Sequence, residues 1–442
     1  MTLTRRILSL AVPAFAALVA QPLMMLADTW IVGLLGTVPL AGLGLGSGLL
    51  TTVTGLMIFL AYGSTAVVAR RIGAGEKVRG VELGVQAMWL AALIGVVAGT
   101  TAWLTAPLLV SALGGAGEVH AQAVAYLRWS LPGLPGMLVM LAATGTFRGL
   151  ADARTPLVLS IGAAALNLVL NVALVLGLGL GIGGAGLGTA LAETALGLTA
   201  AALVARRARL LRARLRPRGH EMMGSLAVGV PLLLRTVTLR LALLVTTFVA
   251  TAQGAAGLAA HHVVMQVWGL MAYALDALAI AGQTIIGTAL GAADAREARE
   301  STRLMTRWSV GGGLLIGLAV LALHAPVASF FAPDDDVRAL VSWLLFIVSA
   351  TLPLAGYVYL LDGVLIGAGD GAYLAKAGAL TVAVYAPVAL GALLVAPGRP
   401  GMTWLWVSFT VVFMGARALT LGLRARGDGW LTLGGAQPSR RA

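Results

Sequence analysis

Residues 22–33 read PLMMLADTWIVG, a stretch with one acid, Asp28, in an otherwise apolar run. A carboxylate in a low-dielectric setting is costly when ionised and takes up a proton readily. Such a group, neutral when occluded and charged when wetted, suits ion coupling; the competing reading is a structural hydrogen bond. Four more polar residues in the first half share this apolar setting. Asn167 and Asn171 in LNLVLN are four apart, as are Thr189 and Glu193 in GTALAE, so each pair lies on one face of a helix. The asparagines serve either as cavity anchors or as interhelical glue, and Glu193 either as a second functional acid or as a tie to a neighbouring helix. The second half carries Arg235, Arg240, Asp276, Asp362 and Arg417. Acids and bases together there predict an internal charge network that locks the fold.

The elements that position these residues follow from composition. The 442-residue chain is 59% hydrophobic and 11% charged, with a mean hydropathy of +0.94. Soluble domains carry about 25% charged residues, so this is an all-α polytopic membrane protein. Apolar runs of about 20 residues predict twelve transmembrane helices near 8–33, 46–69, 85–110, 121–147, 156–178, 185–205, 225–250, 262–288, 308–331, 339–364, 374–396 and 402–423. Pro13 and Pro22 fall in the first and are candidate bend points.

The net charge of +13 belongs to topology. Most of the 30 Lys and Arg sit in the termini and alternate loops, most densely in RRARLLRARLRPRGH at 206–220, whereas the loop APDDDVR at 332–338 is acidic. The positive-inside rule puts both termini in the cytoplasm. The basic excess then meets the inner leaflet of the lipid bilayer, and no nucleic-acid partner is expected. The opening MTLTRRILSLAVPAFAALVA resembles a signal peptide in pattern, but it has a partner later in the chain and is assigned to the fold.

That partner comes from an internal repeat. Pro13 and Pro231, Gly36 and Gly254, Gly73 and Gly291, Pro135 and Pro353, Gly149 and Gly367, and Asp152 and Asp370 are all separated by one constant offset. Each copy holds an even number of helices, so the two six-helix lobes are parallel and pseudo-two-fold related, as in transporters that bind cargo between repeats. The expected parts are an N-lobe at 1–205, a basic linker at 206–224, a C-lobe at 225–423 and a cytoplasmic tail at 424–442.

Other chemistries lack their residues. There are no cysteines. His261 and His262 are adjacent, and His120, His220 and His324 are scattered, so no metal-ligand spacing appears. No Walker A signature exists. GIGGAG at 181–186 fits a dinucleotide-binding glycine pattern, but no strand precedes it; it reads as a tight turn between membrane helices. Neither an enzyme nor a cofactor is expected.

The Asp in PLMMLADTWIVG, FRGLADARTP at the end of the fourth span and LNLVLN in the fifth resemble the multidrug and toxic compound extrusion (MATE) family. YALDALAIAGQTIIGTALGA at 273–292 and YLLDGVLIGAGD at 359–370 resemble its DinF-like (DNA-damage-inducible) branch. The resemblance implies the MATE, or MOP-type, transporter fold. It also implies an inner-membrane antiporter, expected as a monomer, exporting small amphipathic and often cationic compounds against H+ or Na+. It gives Asp28 the ion-coupling role, with Asn167, Asn171 and Thr189 as partners. The family's fifth-helix pattern is usually N-x-x-x-D, and this chain has Asn171 at the second position, which favours H+ over Na+ unless Glu193 restores the charge. The rival within transporters is a lipid-precursor flippase. A polyanionic lipid would call for several cavity bases, and the apolar spans of the first half carry only Arg128.

Overall fold

Residues 2–332 and 334–435 are described by a computed structural model of the chain. Among them twelve helices are long and apolar enough to cross a membrane: α1 Leu3–Gly33, α2 Thr37–Gly73, α3 Lys77–Ala112, α4 Gly117–Gly149, α5 Arg154–Gly177, α6 Gly181–Leu210, α7 Gly219–Ala252, α8 Gly254–Gly291, α9 Ala295–Phe331, α10 Asp335–Gly367, α11 Gly371–Leu394 and α12 Arg399–Arg426. Most extend past the apolar windows read from sequence. Hydropathy ends where the bilayer ends, but basic residues such as Arg70 and Arg71 continue the helical hydrogen bonding. The acids of the 332–338 loop also cap a helix. Asp334 accepts from the backbone N–H groups of Asp336 and Val337, both at 3.0 Å, at the start of α10.

GIGGAG is not a turn. It forms the first turns of α6, and the chain reverses before it, at Gly179 with φ 66°. Its glycines serve close packing: a methyl group at Gly186 would lie 2.5 Å from the Tyr126 carbonyl oxygen. This approach holds α6 tightly against α4.

By packing, residues 12–230 form one compact unit, and residues 2–11 with the described residues of 231–435 form another. Both cuts fall inside helices, next to the repeat-related Pro13 and Pro231. In the first unit part of the segment expected as a basic linker is docked on α3. Gln86 donates to the Arg216 carbonyl at 3.0 Å and accepts from the Arg218 N–H at 2.8 Å, while Trp89 donates to the Leu215 carbonyl at 2.9 Å. Glu221 pairs with Arg79 at 2.9 Å. In the second unit the segment after α12 folds back. Trp430 is buried, and the Gly434 N–H reaches the Leu290 carbonyl at 2.9 Å. Residues 436–442 of the expected tail lie outside the described residues.

The repeat recurs in the packing of each unit. A methyl at Gly95 would meet Pro135 Cα at 2.5 Å, and one at Gly313 would meet Pro353 Cα at 3.0 Å. A methyl at Gly145 would meet the Ala61 oxygen at 2.2 Å, and one at Gly363 the Ala279 oxygen at 2.5 Å. The same helix pairs therefore touch at repeat-related glycines. Left-handed turn positions also match: Gly75 with Ala293, and Ala151 with Gly369.

Candidate functional site

α1, α5 and α6 bring four of the five first-half candidates into one hydrogen-bonded chain. Asn171 Nδ2 donates to Asp28 Oδ1 at 2.6 Å and to Asn167 Oδ1 at 3.2 Å. Asn167 Nδ2 donates to Thr189 Oγ1 at 3.3 Å, and the Thr189 hydroxyl donates to the Ala185 carbonyl at 3.0 Å. Both asparagines are fully buried, and Asp28 and Thr189 nearly so. The four-residue spacings anticipated from sequence supply the geometry, since each pair projects from one helix face. Ile31, Val32, Leu43, Tyr126, Val175, Ile182 and Ala185 pack as one buried hydrophobic cluster that adjoins the hydrogen-bonded chain through Tyr126 and Ala185.

Glu193 is also buried, within charge-interaction range of Asp28 and Tyr126, and makes no hydrogen bond among the described residues. Arg70 and Arg148 are buried at the ends of α2 and α4. Nevertheless Asp28 has Asn171 as its hydrogen-bond partner, not a base. A cavity of about 50 Å³ opens on Asp28, lined also by Gln21, Ser47, Thr54, Tyr126 and Thr189. That volume admits one or two waters and is well below the several hundred Å³ of a drug site. Pro13 and Pro22 lie within the continuous helix α1.

Three residues of the site were not singled out from sequence. Tyr126 reaches it from α4 and lines the cavity beside Asp28 and Thr189. Gln21, about two helical turns before Asp28, lines the cavity. Gly188 faces Asn171, and a methyl there would fall 2.2 Å from Asn171 Oδ1. That oxygen is buried without a hydrogen-bond partner. The neighbouring Thr189 was a usable signal for Gly188, but nothing in the sequence marks one glycine among 58.

In the second unit Asp362 is the hub. Arg235 contacts it through Nη2 and, at 3.3 Å, through Nε; Arg417 Nη2 donates to Oδ1, the oxygen that also accepts from Arg235 Nε, at 3.1 Å. Tyr359 lies within electrostatic reach of Arg235, Asp276, Asp362 and Arg417. Arg240 does not join them. It is exposed and has no ion-pair partner among the described residues. Five residues separate it from Arg235, which is about 140° around a helix of 3.6 residues per turn, so both cannot face one acid. Among the described residues no group of His, Cys, Asp and Glu could hold a metal ion.

Twelve spanning helices in two copies of one six-helix plan, with an acid–amide cluster buried in one copy, define a membrane transporter of the duplicated class. The MatE family model matches residues 13–173 and again 231–390, one match per repeat, and the chain belongs to this multidrug and toxic compound extrusion family. It is 29% identical to DNA damage-inducible protein F of Escherichia coli (strain K12), over 93% of this chain and 90% of that one. It is 27% identical to Protein DETOXIFICATION 44, chloroplastic, of Arabidopsis thaliana, over 95% of this chain and 82% of that one. Its fold matches the Vibrio cholerae MATE transporter VcmN in the bent form with a TM-score of 0.87 at 21% identity, covering 97% and 98% of the two chains.

Proposed function

We propose that this chain exports small amphipathic, often cationic organic compounds by antiport against inward H+, alternating access with protonation of Asp28. The observation that carries the reading is the setting of Asp28. It is a buried carboxylate whose hydrogen-bond partner is the Asn171 amide, beside a cavity of water size. A base would pin the acid in its ionised form; an amide leaves it free to exchange a proton. The amide directs N–H, not oxygen, at the carboxylate, and a desolvated Na+ needs oxygens there. Asp28 accordingly carries the proton, Asn171 orients the carboxylate, and Asn167 and Thr189 hold Asn171.

A lipid-precursor flippase is less well supported, because neither Lys nor Arg lines the Asp28 cavity. Na+ coupling has one observation in its favour, Glu193, a second buried acid near Asp28 with no hydrogen bond among the described residues. The reading also takes the transporter as a monomer in the plasma membrane, with both termini and the 206–220 segment in the cytoplasm.

The test is transport in proteoliposomes under an imposed pH gradient or an imposed Na+ gradient, each alone. Export should follow the pH gradient without Na+. Asp28→Asn, which keeps the shape but cannot exchange a proton, should abolish it while leaving the melting temperature near that of wild type. Export driven by Na+ at zero pH gradient, and lost on Glu193→Gln, would overturn the proton assignment.

A further inference from the structure

The second unit has a separate cavity of about 410 Å³ between α9, α10 and the end of α12, lined by Arg299, Arg303, Arg307, Arg426, Tyr357 and Trp430. Arg299 is paired with Asp428. Arg303, Arg307 and Arg426 are exposed and have neither an ion-pair nor a hydrogen-bond partner among the described residues. Three unneutralised guanidinium groups around one cavity attract anions, and their planar forks suit phosphate oxygens.

The position of the arginines on α9 narrows the ligand. Arg299, Arg303 and Arg307 are four apart and run about 12 Å along the helix at 1.5 Å per residue. α9 has 37 residues, about 55 Å, against a hydrocarbon core of about 30 Å, so its first turns overhang the membrane. The apolar run begins at Trp308, directly after Arg307. Arg307 thus lies at the phosphate level, with Arg303 and Arg299 above it. By crossing parity this end of α9 shares its membrane face with the other basic loops.

The same face continues into the apolar zone. At helical spacing Arg303 and Arg307 are followed by Gly311, Leu314, Leu318 and Leu321. Gly311 has open space above it, and the three leucines are 51%, 53% and 39% exposed. A phosphate at the arginines would have its acyl chain along this stripe. We propose that this cavity is a binding site for the headgroup of an anionic phospholipid, with its acyl chain on the Gly311–Leu321 face of α9. A zwitterionic headgroup brings its own ammonium into an already cationic site and is disfavoured. Thr302 and Thr306, also on the wall, spend their hydroxyl protons on the Ala298 and Thr302 carbonyls, so the guanidinium groups carry the recognition. The site does not depend on the transport reading above.

The experiment is native mass spectrometry of the full chain in neutral detergent with added phosphatidylglycerol, phosphatidylcholine or inorganic phosphate. Wild type should retain phosphatidylglycerol over phosphatidylcholine. Arg303→Gln with Arg307→Gln should weaken that retention roughly ten- to thirtyfold, the effect of two arginines at a headgroup surface. Arg426→Gln alone, reaching the cavity from α12, should weaken it less. The control pair Arg209→Gln with Arg212→Gln, at the end of α6, removes the same charge elsewhere and should leave it unchanged. Equal loss in this control pair would reduce the effect to bulk electrostatics and overturn the site. Retention of inorganic phosphate that phosphatidylglycerol does not displace would reassign the cavity to a soluble anion and overturn the lipid.

Discussion

Gly188→Ala is the sharpest probe of the Asp28 cluster, because it adds one methyl group to a defined gap. The new carbon would lie 2.2 Å from Asn171 Oδ1 and 3.3 Å from its Cγ, but 3.4 Å from the Asn171 backbone nitrogen. The first contact is impossible and the last is ordinary, so the clash is with the amide alone. Asn171 must therefore swing away, and its hydrogen bonds to Asp28 and Asn167 go with it. Overpacking of this kind costs about 1–3 kcal/mol, and a unit of this size loses roughly 2–4 °C of melting temperature per kcal/mol. Asn171→Ala removes the obstructing atoms, so the methyl should then fit. A double-mutant cycle on the purified protein should show Gly188→Ala costing about 1–3 kcal/mol in wild type and close to nothing in the Asn171→Ala background. Proton-driven transport by Gly188→Ala should fall in parallel, since Asp28 loses its donor. Equal destabilisation in both backgrounds would mean that the methyl clashes elsewhere, and the assigned role of Gly188 in positioning Asn171 would be wrong.

Removing the hub of the second unit, by Asp362→Ala, takes from the buried Arg417 and the largely buried Arg235 the carboxylate that both contact. It should cost about 3–5 kcal/mol, read as lower expression and melting temperature; a melting temperature like that of Asp28→Asn would contradict this. Ala151 and Ala293 hold φ of 59° where their repeat partners are glycines, so Ala151→Gly or Ala293→Gly should each stabilise by about 1 kcal/mol, and a lower melting temperature for both would count against strain at these turns. Asp152 lies in the 150–153 turn; burial raises its carboxyl, but hydrogen bonds from the Thr155 N–H and hydroxyl and from Arg207 outweigh it and hold the group below its ordinary value. A depressed folded value gives stability that is present above the unfolded value near ~3.9 and lost as pH falls through the folded one. Acid melting of Asp152→Asn should therefore depend less on pH than that of wild type below about pH 5, and parallel curves would refute the assignment.

Twelve spans, the duplication and the family were legible in the residues themselves. Apolar length is a one-dimensional property set by bilayer thickness, and a constant offset between prolines and an Asp needs no coordinates. Asp28 was legible as an anomaly of composition, and the asparagine pair through its helical spacing. What the linear order does not carry is which helix faces which. Only packing brought Asn171 of α5 to Asp28 of α1, 143 positions apart, and set Tyr126 and Gly188 around them. The same ignorance produced the error at Arg240, where polarity suggested membership in the charge network and rotation around α7 denied it. GIGGAG was misread for a related reason: glycine marks both turns and close helix contacts, and only the neighbouring backbone decides between them. The docking of residues 214–221 on α3 was equally hidden, because, Glu221 apart, its hydrogen bonds to α3 are made by backbone groups that every sequence possesses. Burial, in short-range terms, is fixed by composition along the chain, whereas partnership between buried polar groups is fixed by the angle and height at which separate helices meet.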